Sequence, residues 1–413
     1  MKEKPYSKLK NNNIAFVGNT SFSLYKFRLG VMRSFVALGY NVFAIAPEDE
    51  YSDFFSQEKI NFISIKVDGK GTNVLTDIKL IYNFIQIYKY NEIDFIFHYT
   101  IKPNIYGSIA CRILDIPTIA ITTGLGFSFN KKNILNWLVK KLYKFSLSKT
   151  LEVWFLNAHD KQSFINNKIV KFSKAFILPS EGIDSVFYSP MPKTEENGKF
   201  KFLLLSRLIE NKGIREYAKA AEILRNKGLD VECQLLGKQD KDASKSIPVQ
   251  LVHEWHDKSI INYLGERIDV RKYIAECDCV VLPSYYMEGI PRCLMEAMSM
   301  EKPIITTDNV GCKELIVDNV NGYKCIPRDI ENLAKKMEKM FLTDVETRNL
   351  MGRNGRIRVI NDYEENIIIG HYHTKFNSFY KILNAKHLHC VVPDSEGRYI
   401  PINKDSATVK SNF

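Results

Sequence analysis

Short apolar runs rich in β-branched and aromatic residues alternate with stretches of helical length along this chain, and after a polar, proline-bearing segment the alternation starts over. The first series has runs at Ile14–Gly18, Val42–Ala46, Phe62–Val67, Asp94–Tyr99, Thr118–Thr122 and Glu152–Leu156. The second has them at Lys201–Leu205, Glu232–Leu236, Ile260–Leu264, Cys279–Leu282, Pro303–Thr306 and Gly322–Ile326. Apolar runs of this kind suit strands of a parallel sheet with helices on both faces. A strand, a small polar loop and an amphipathic stretch open the chain as a Rossmann-like unit does. The expected fold is α/β, with two Rossmann-like domains facing each other across a cleft, in residues 1–190 and 200–385, and a tail over 386–413. Val186–Lys199 reads as the linker, and the helical stretch beyond Asn361 as the closing element of the second half. A chain of 413 residues is long enough for both halves to bury a core.

Composition narrows the partners. With 45% hydrophobic and 25% charged residues the chain is globular, and charge or proline breaks every apolar run well short of membrane-spanning length. MKEKPYSKLKNNN is basic with no apolar stretch behind it before the first strand, so no secretory signal is visible and a cytoplasmic protein is expected. The eight cysteines fit that compartment, and Cys277 and Cys279 read as packing residues. Lys and Arg outnumber Asp and Glu by 26 to 17 in residues 1–200, but only by 32 to 30 in residues 201–413. The excess centres on Lys131–Lys149, which holds six lysines and no acid, with Ile134, Leu138, Leu142 and Phe145 at helical spacing and Trp137 and Tyr143 nearby. An ordinary surface helix is one reading. The other is contact with an anionic membrane surface through Trp137, Lys140, Lys141 and Lys144. Nucleic acid is disfavoured, because no reading module accompanies the charge.

Loops at the carboxyl ends of parallel strands carry the ligand sites of open α/β sheets. In the first half these are Gly18 to Ser23, His98 to Asn104 and Thr122 to Phe127. None is a dinucleotide-binding fingerprint, and His98 is either a contact to ligand or a strand-end histidine capping backbone groups. In the second half Arg207 leaves a strand and Lys212 follows five residues later, a pair of cations suited to a diphosphate leaving group. On the bland reading Arg207 pairs with Glu210. Val280–Met300 then reads as strand, turn and helix, with Glu288 just outside the helix mouth and Glu296 on its first turns. The amides of Gly289, Ile290 and Arg292 around Pro291 lie at the positive end of that helix, and an anion flanked by two carboxylates suggests a sugar phosphate. Asp240-Lys241-Asp242 reads as a solvated polar loop, so no metal site is expected.

With Glu288 and Glu296 in EGIPRCLME, Arg207 and Lys212 in SRLIENKG, and Gly265 in YLGERIDV, the chain to about Leu383 resembles the retaining glycosyltransferases of family 4, which have the two-domain GT-B fold. FSLYKFRLGVM, HYTIKPNIYGS and TTGLGFSF are similar to members that build surface polysaccharides and glycan precursors on a polyprenyl diphosphate. The resemblance implies a UDP-sugar donor, N-acetylgalactosamine or a related hexose or hexosamine, and a polyprenyl-diphosphate-linked saccharide acceptor at the inner face of the cell membrane. It implies no cofactor and no metal. Glu288 then contacts donor-sugar hydroxyls, Glu296 the ribose, and Arg267 and Ile268 the uracil. Gly18, Ser21 and Phe22 approach phosphates and acceptor, His98 lies near the transferred sugar, and Lys102 belongs to the acceptor side. Several relatives carry a histidine where this chain has Thr122-Thr123-Gly124, so no role of that histidine transfers. UDP-galactose or UDP-N-acetylglucosamine as donor, a sugar-nucleotide 2-epimerase and a non-catalytic sugar-nucleotide-binding module remain alternatives.

Overall fold

The computed structural model describes residues 11–67, 74–124, 134–194, 198–239, 246–380, 391–393 and 399–401. Asp240 to Asp242, Leu125 to Phe127 and most of the expected tail lie outside the described residues. The chain divides into two compact units, one made of Met1–Glu181 with Glu365–Phe413 and the other of Gly182–Glu364.

The first unit is built on β1 (Asn13–Val17), β2 (Asn41–Ala46), β3 (Asn61–Ser64), β4 (Phe95–Tyr99), β5 (Thr118–Thr122), β6 (Glu152–Phe155) and β7 (Ala175–Ile177). All pair in parallel, in the order β3-β2-β1-β4-β5-β6-β7. β1, β4 and β5 are buried along their whole length, as their unbroken apolar runs require. The last strand was not expected from sequence. It is three residues long at the sheet edge, too short for an apolar run to stand out.

A second departure concerns the helix Glu365–Tyr380, expected to close the second half. It packs on the first unit instead. Ile368, Tyr372, Phe376 and Tyr380 recur every fourth residue, form one apolar stripe and are buried. Phe376 meets Phe95 and Phe35 at ring separations of 5.0 and 5.2 Å. Tyr372 sits edge-on to Trp154 at 4.8 Å and shares a 2.9 Å hydroxyl bond with Tyr99, while Lys375 bonds Glu152 at 2.7 Å. The stripe records only that the helix buries one face. The aromatic residues of β4 and β6 supply the partner surface.

The second unit repeats the plan with β8 (Phe200–Leu205), β9 (Val231–Leu236), β10 (Asn262–Tyr263), β11 (Cys279–Leu282), β12 (Ile304–Thr307) and β13 (Gly322–Cys325). Their order is β10-β9-β8-β11-β12-β13, again all parallel. Cys277 and Cys279 are buried, as a packing role demands. The expected linker is in part a docked segment. Ser299 Oγ donates to the Tyr188 carbonyl at 2.8 Å, and Arg271 stacks 3.8 Å from the centre of the Phe187 ring.

Two buried imidazoles make the first unit sensitive to acid. His98 and His373 are stripped of water, which lowers their pKa from 6.5 to about 3 and about 4 respectively. Below pH 6.5 the unfolded chain takes up protons that the folded chain refuses, so their contribution is present above that pH and is lost as pH falls toward the folded values. At pH 5 each costs up to about 2 kcal/mol. Urea midpoints at pH 7.5 and 5 should separate for the native chain and converge in His98→Gln/His373→Gln. Equal pH dependence in both proteins contradicts the assignment.

Candidate active site

Because β8 to β13 run in parallel, their carboxyl ends share one edge of the second sheet, and the loops leaving them are tied together by backbone bonds. Ser206 N–H donates to the Leu236 carbonyl at 3.1 Å, and Gly237 N–H to the Gly265 carbonyl at 2.9 Å. After β8 the chain makes a tight turn over Glu210–Lys212, and Gly213 takes φ +75° before the helix Ile214–Asn226 begins. A methyl group at Gly213 would collide with the Pro283 carbonyl, so glycine here lets the Lys212 loop lie against the loop that follows β11. Gly311, with φ +89°, does the same from the other side, where a methyl group would meet the Gly289 carbonyl.

Pressed between these glycines, the loop Pro283–Pro291 brings Glu288 onto Lys212 with Nζ 2.6 Å from Oε2. The other carboxylate oxygen, Oε1, accepts the Ser284 hydroxyl at 2.6 Å. Asn211 anchors the junction, its carbonyl accepting the amides of Tyr285 and Tyr286 at 3.0 and 3.2 Å. The pair is largely shielded, with side-chain exposures of 14% for Lys212 and 10% for Glu288, so its members feel each other far more than surface charges do. Burial is the largest single influence and lowers the lysine pKa, but the charge and hydrogen bond of Glu288 together with the neighbouring Cys293 and Cys312 outweigh it, and the net shift is upward. Lys212 is therefore a fixed cation. Cys293 lies beside these charges, yet burial and the nearby carboxylates push its thiol up to about 12, which leaves it protonated and a poor nucleophile.

The helix after the loop is Arg292–Ser299, with Pro291 just before it. Glu296 lies in its second turn and accepts Arg292 Nε at 3.1 Å, and its charge, after burial, helps raise the pKa of the Tyr188 hydroxyl. Gly289, Ile290 and Pro291 are buried at the helix mouth. Arg207 is exposed at the carboxyl end of β8, and Glu210, its partner on the bland reading, is held by Arg215 at 2.7 Å instead. Arg267 and Ile268 are exposed after β10, with Arg267 Nε donating to the Tyr273 hydroxyl at 2.7 Å. Ser284, Asn211 and Tyr188 were not singled out in the sequence. Only the nearness of Ser284 to Glu288 along the chain could have marked one of them.

The first unit corrects several expectations. His98 is fully buried on β4, its Nε2 at 2.9 Å from the Tyr88 hydroxyl and its Nδ1 at 2.9 Å from Thr118 Oγ1, so it is a core residue and cannot touch a sugar. Ser21 is also buried, donating to the Pro47 carbonyl at 2.7 Å. The Gly18 amide is committed to the Ile45 carbonyl. Lys102 pairs with Asp77 at 3.0 Å and is 13% exposed, so its charge is spent within the unit. Phe22 alone of that group is exposed, beside Tyr51 at the first turn of the helix Ser21–Ala37.

The lysine-rich stretch forms the helix Ile134–Ser146, and of the expected apolar stripe Leu142 packs against the core while Leu138 and Phe145 do not. Tyr143 is buried, whereas Trp137, Leu138 and Phe145 are 58%, 51% and 50% exposed. Lys141 and Lys144 are exposed, Lys141 at 5.4 Å from the Trp137 ring, while Lys140 bonds Asn167 at 2.9 Å. Large apolar groups thus share the outer surface with cations. Among the described residues no cluster of three or more potential ligands could hold a metal ion, and no helix is long and apolar enough to cross a membrane.

Known proteins share this layout. The family model for glycosyl transferase 4-like proteins matches residues 13–157, and that for glycosyl transferases group 1 matches residues 190–358. An N,N'-diacetylbacillosaminyl-diphospho-undecaprenol α-1,3-N-acetylgalactosaminyltransferase from Campylobacter jejuni is 26% identical over 87% of this chain and 96% of its own. A UDP-Gal:α-D-GlcNAc-diphosphoundecaprenol α-1,3-galactosyltransferase from Escherichia coli is 23% identical over 71% of this chain and 78% of its own. Anabaena HepE, solved with UDP and glucose, superposes with a TM-score of 0.73 at 18% identity, over 89% of this chain and 99% of that one, which places the fold in the GT-B class.

The buried pair makes a test of the site's geometry. Lys212→Met or Glu288→Gln alone leaves one charged or polar group without its partner and should cost about 3 kcal/mol of stability. The double variant should cost clearly less than the two singles together, by urea denaturation. Additive losses contradict a direct pair.

Proposed function

The chain belongs to the glycosyltransferases through its two family domains, and from that we propose that it is a retaining, metal-independent enzyme moving a hexosamine or hexose from a UDP-sugar to a polyprenyl-diphosphate-linked saccharide. N-acetylgalactosamine is the sugar we favour. The observation that carries the donor half of this reading is the Lys212–Glu288 pair at the carboxyl edge of the second sheet, with Arg207 on the same edge. As the bond from the anomeric carbon to the UDP oxygen breaks, charge grows on the diphosphate, and two cations stabilise it most at that moment. With the cations gathered where the leaving group would lie, the mechanism that best fits is displacement from the face of that group. The departing phosphate takes the acceptor hydroxyl's proton. Glu288 selects donor-sugar hydroxyls, and Glu296, oriented by Arg292, takes the ribose.

Both curated relatives, by their names, act on diphosphoundecaprenol-linked sugars and form an α-1,3 linkage. An α-linked product from an α-linked UDP-sugar is retention. The acceptor side is consistent with the first unit, whose Trp137, Leu138 and Phe145 stand exposed among lysines. Aromatic and aliphatic groups flanked by Lys141 and Lys144 suit the boundary of an anionic membrane, which supports peripheral association at the inner face of the cell membrane.

A donor panel of UDP-N-acetylgalactosamine, UDP-galactose and UDP-N-acetylglucosamine, with membrane extract as the source of lipid-linked acceptor, tests the reaction. Labelled sugar should enter the lipid fraction from the first donor. Transfer from another donor corrects the sugar, conversion to an epimer moves the protein to another reaction class, and no reaction overturns the reading. In the active system Arg207→Ala and Lys212→Ala should each lower turnover about 10²-fold or more, with smaller effects on acceptor affinity. Replacing Lys141 and Lys144 by Glu should weaken sedimentation with anionic liposomes while leaving the circular dichroism spectrum unchanged. Undiminished liposome binding returns that helix to an ordinary surface element.

A further inference from the structure

Ser284 has a place in the site that its sequence position does not disclose. It is fully buried two residues past the end of β11 and four before Glu288. Its hydroxyl has one proton and two acceptors within reach, Glu288 Oε1 at 2.6 Å and the Asn211 carbonyl at 3.2 Å. The shorter contact is to a charged acceptor, where a hydrogen bond is strongest, so the proton goes to the glutamate. The Ser284 oxygen in turn accepts the Tyr286 amide at 3.2 Å, and the Ser284 carbonyl accepts the Thr307 hydroxyl from β12. The serine is thus fixed by its own loop and by β12, and it grips one oxygen of Glu288. The other oxygen, Oε2, is on Lys212 at 2.6 Å.

The two grips differ in kind. The serine hydroxyl sits on a short side chain that has nowhere to move, whereas the lysine ammonium is carried on a flexible stem and is attracted to any stronger anion. A diphosphate bearing more charge than a carboxylate draws Lys212 away, and Oε2 then gives up its contact with that ammonium in a shielded site. A sugar hydroxyl can replace that cation. We propose that Ser284 is the positioning residue of the donor site: it holds Glu288 by Oε1 while Oε2 exchanges Lys212 for a hydroxyl of the donor sugar as Lys212 passes to the diphosphate. Recognition of the sugar is thereby conditional on recognition of the diphosphate to which it is attached. The inference rests on the donor reading above and adds to it an order and a residue.

Calorimetric titration with UDP and with UDP-N-acetylgalactosamine, UDP-galactose and UDP-N-acetylglucosamine separates the possibilities. In Ser284→Ala the affinity for UDP should stay within about twofold, while the tightest-binding UDP-sugar should lose about tenfold, the scale of one hydrogen bond to a charged group. Ser284→Cys, nearly isosteric but a weak donor, should show the same selective loss and serves if the alanine variant does not fold. In a Glu288→Ala background, adding Ser284→Ala should change UDP-sugar affinity less than twofold, because the serine then has nothing to hold. Equal losses for UDP and UDP-sugar, or a full tenfold loss in the Glu288→Ala background, would reduce Ser284 to a packing residue and overturn the proposal. A native chain that binds UDP but gains nothing from the attached sugar overturns the exchange. One that binds neither UDP nor any of the three UDP-sugars overturns the donor reading itself.

Discussion

The contact between Lys212 and Glu288 sets the terms for the rest of the second unit. Two opposite charges at 2.6 Å, mostly withdrawn from water, attract each other strongly but have also lost their hydration, and the second effect offsets much of the first. Such a pair is poor material for stability. It is good material for a site whose ligand carries charge of its own, because the lysine is held ready and its partner does not bind it irrevocably. Everything around the pair serves to bring the two loops close. Gly213 and Gly311 remove the side chains that would hold the loops apart, Asn211 ties the lysine turn to the glutamate loop, and Ser284 fixes the carboxylate.

The first unit is organised by shape where the second is organised by charge. Its chain begins with β1 and returns, after the whole second unit has been inserted, as the helix Glu365–Tyr380. That return is secured by aromatic packing against β4 and β6 and by the Lys375–Glu152 bond. The first unit therefore depends on a segment far away in sequence, whereas the second is one continuous stretch, and the chain passes between them twice, at Glu181 to Gly182 and at Glu364 to Glu365. On the second unit's side the two passages are joined by the bond from Ile183 N–H to the Tyr363 carbonyl at 3.0 Å.

How much of this the sequence disclosed depends on what each signal encodes. Twelve of the thirteen parallel strands could be read from their apolar runs, because burial on both faces leaves a local trace; the exception, Ala175–Ile177, is a short edge strand that leaves almost none. The stripe at Ile368, Tyr372, Phe376 and Tyr380 revealed a helix with one buried face but not which sheet it would find. His98 looked available because it ends a strand at the ligand side, and residue type carries no information about the Tyr88 and Thr118 groups that enclose it. Arg207, Lys212, Glu288 and Glu296 could be named from the sequence as candidates for one site. That Lys212 and Glu288 hold each other, and that Ser284 holds one of them, follows from the close approach of two loops more than 70 positions apart along the chain, which no local pattern contains.

The lysines of the two units then show why charge in a sequence cannot be read without its surroundings. Lys212 has its ammonium on a shielded carboxylate, and its charge has a single direction in which to act. Lys141 and Lys144 stand in water on the helix Ile134–Ser146, beside Trp137, Leu138 and Phe145, with Arg112 stacked 4.3 Å from the Phe145 ring centre. A solvated lysine acts over about a Debye length and attracts any anionic surface without choosing among them. Large apolar groups left exposed next to it add what charge alone lacks, an energy gained only where hydrocarbon is also present. On the function proposed above, the two settings divide the work of handling one kind of group, the diphosphate. The second unit meets it as a leaving group to be held at atomic contact, and the first meets it on a lipid, where approach to the surface matters before any contact does.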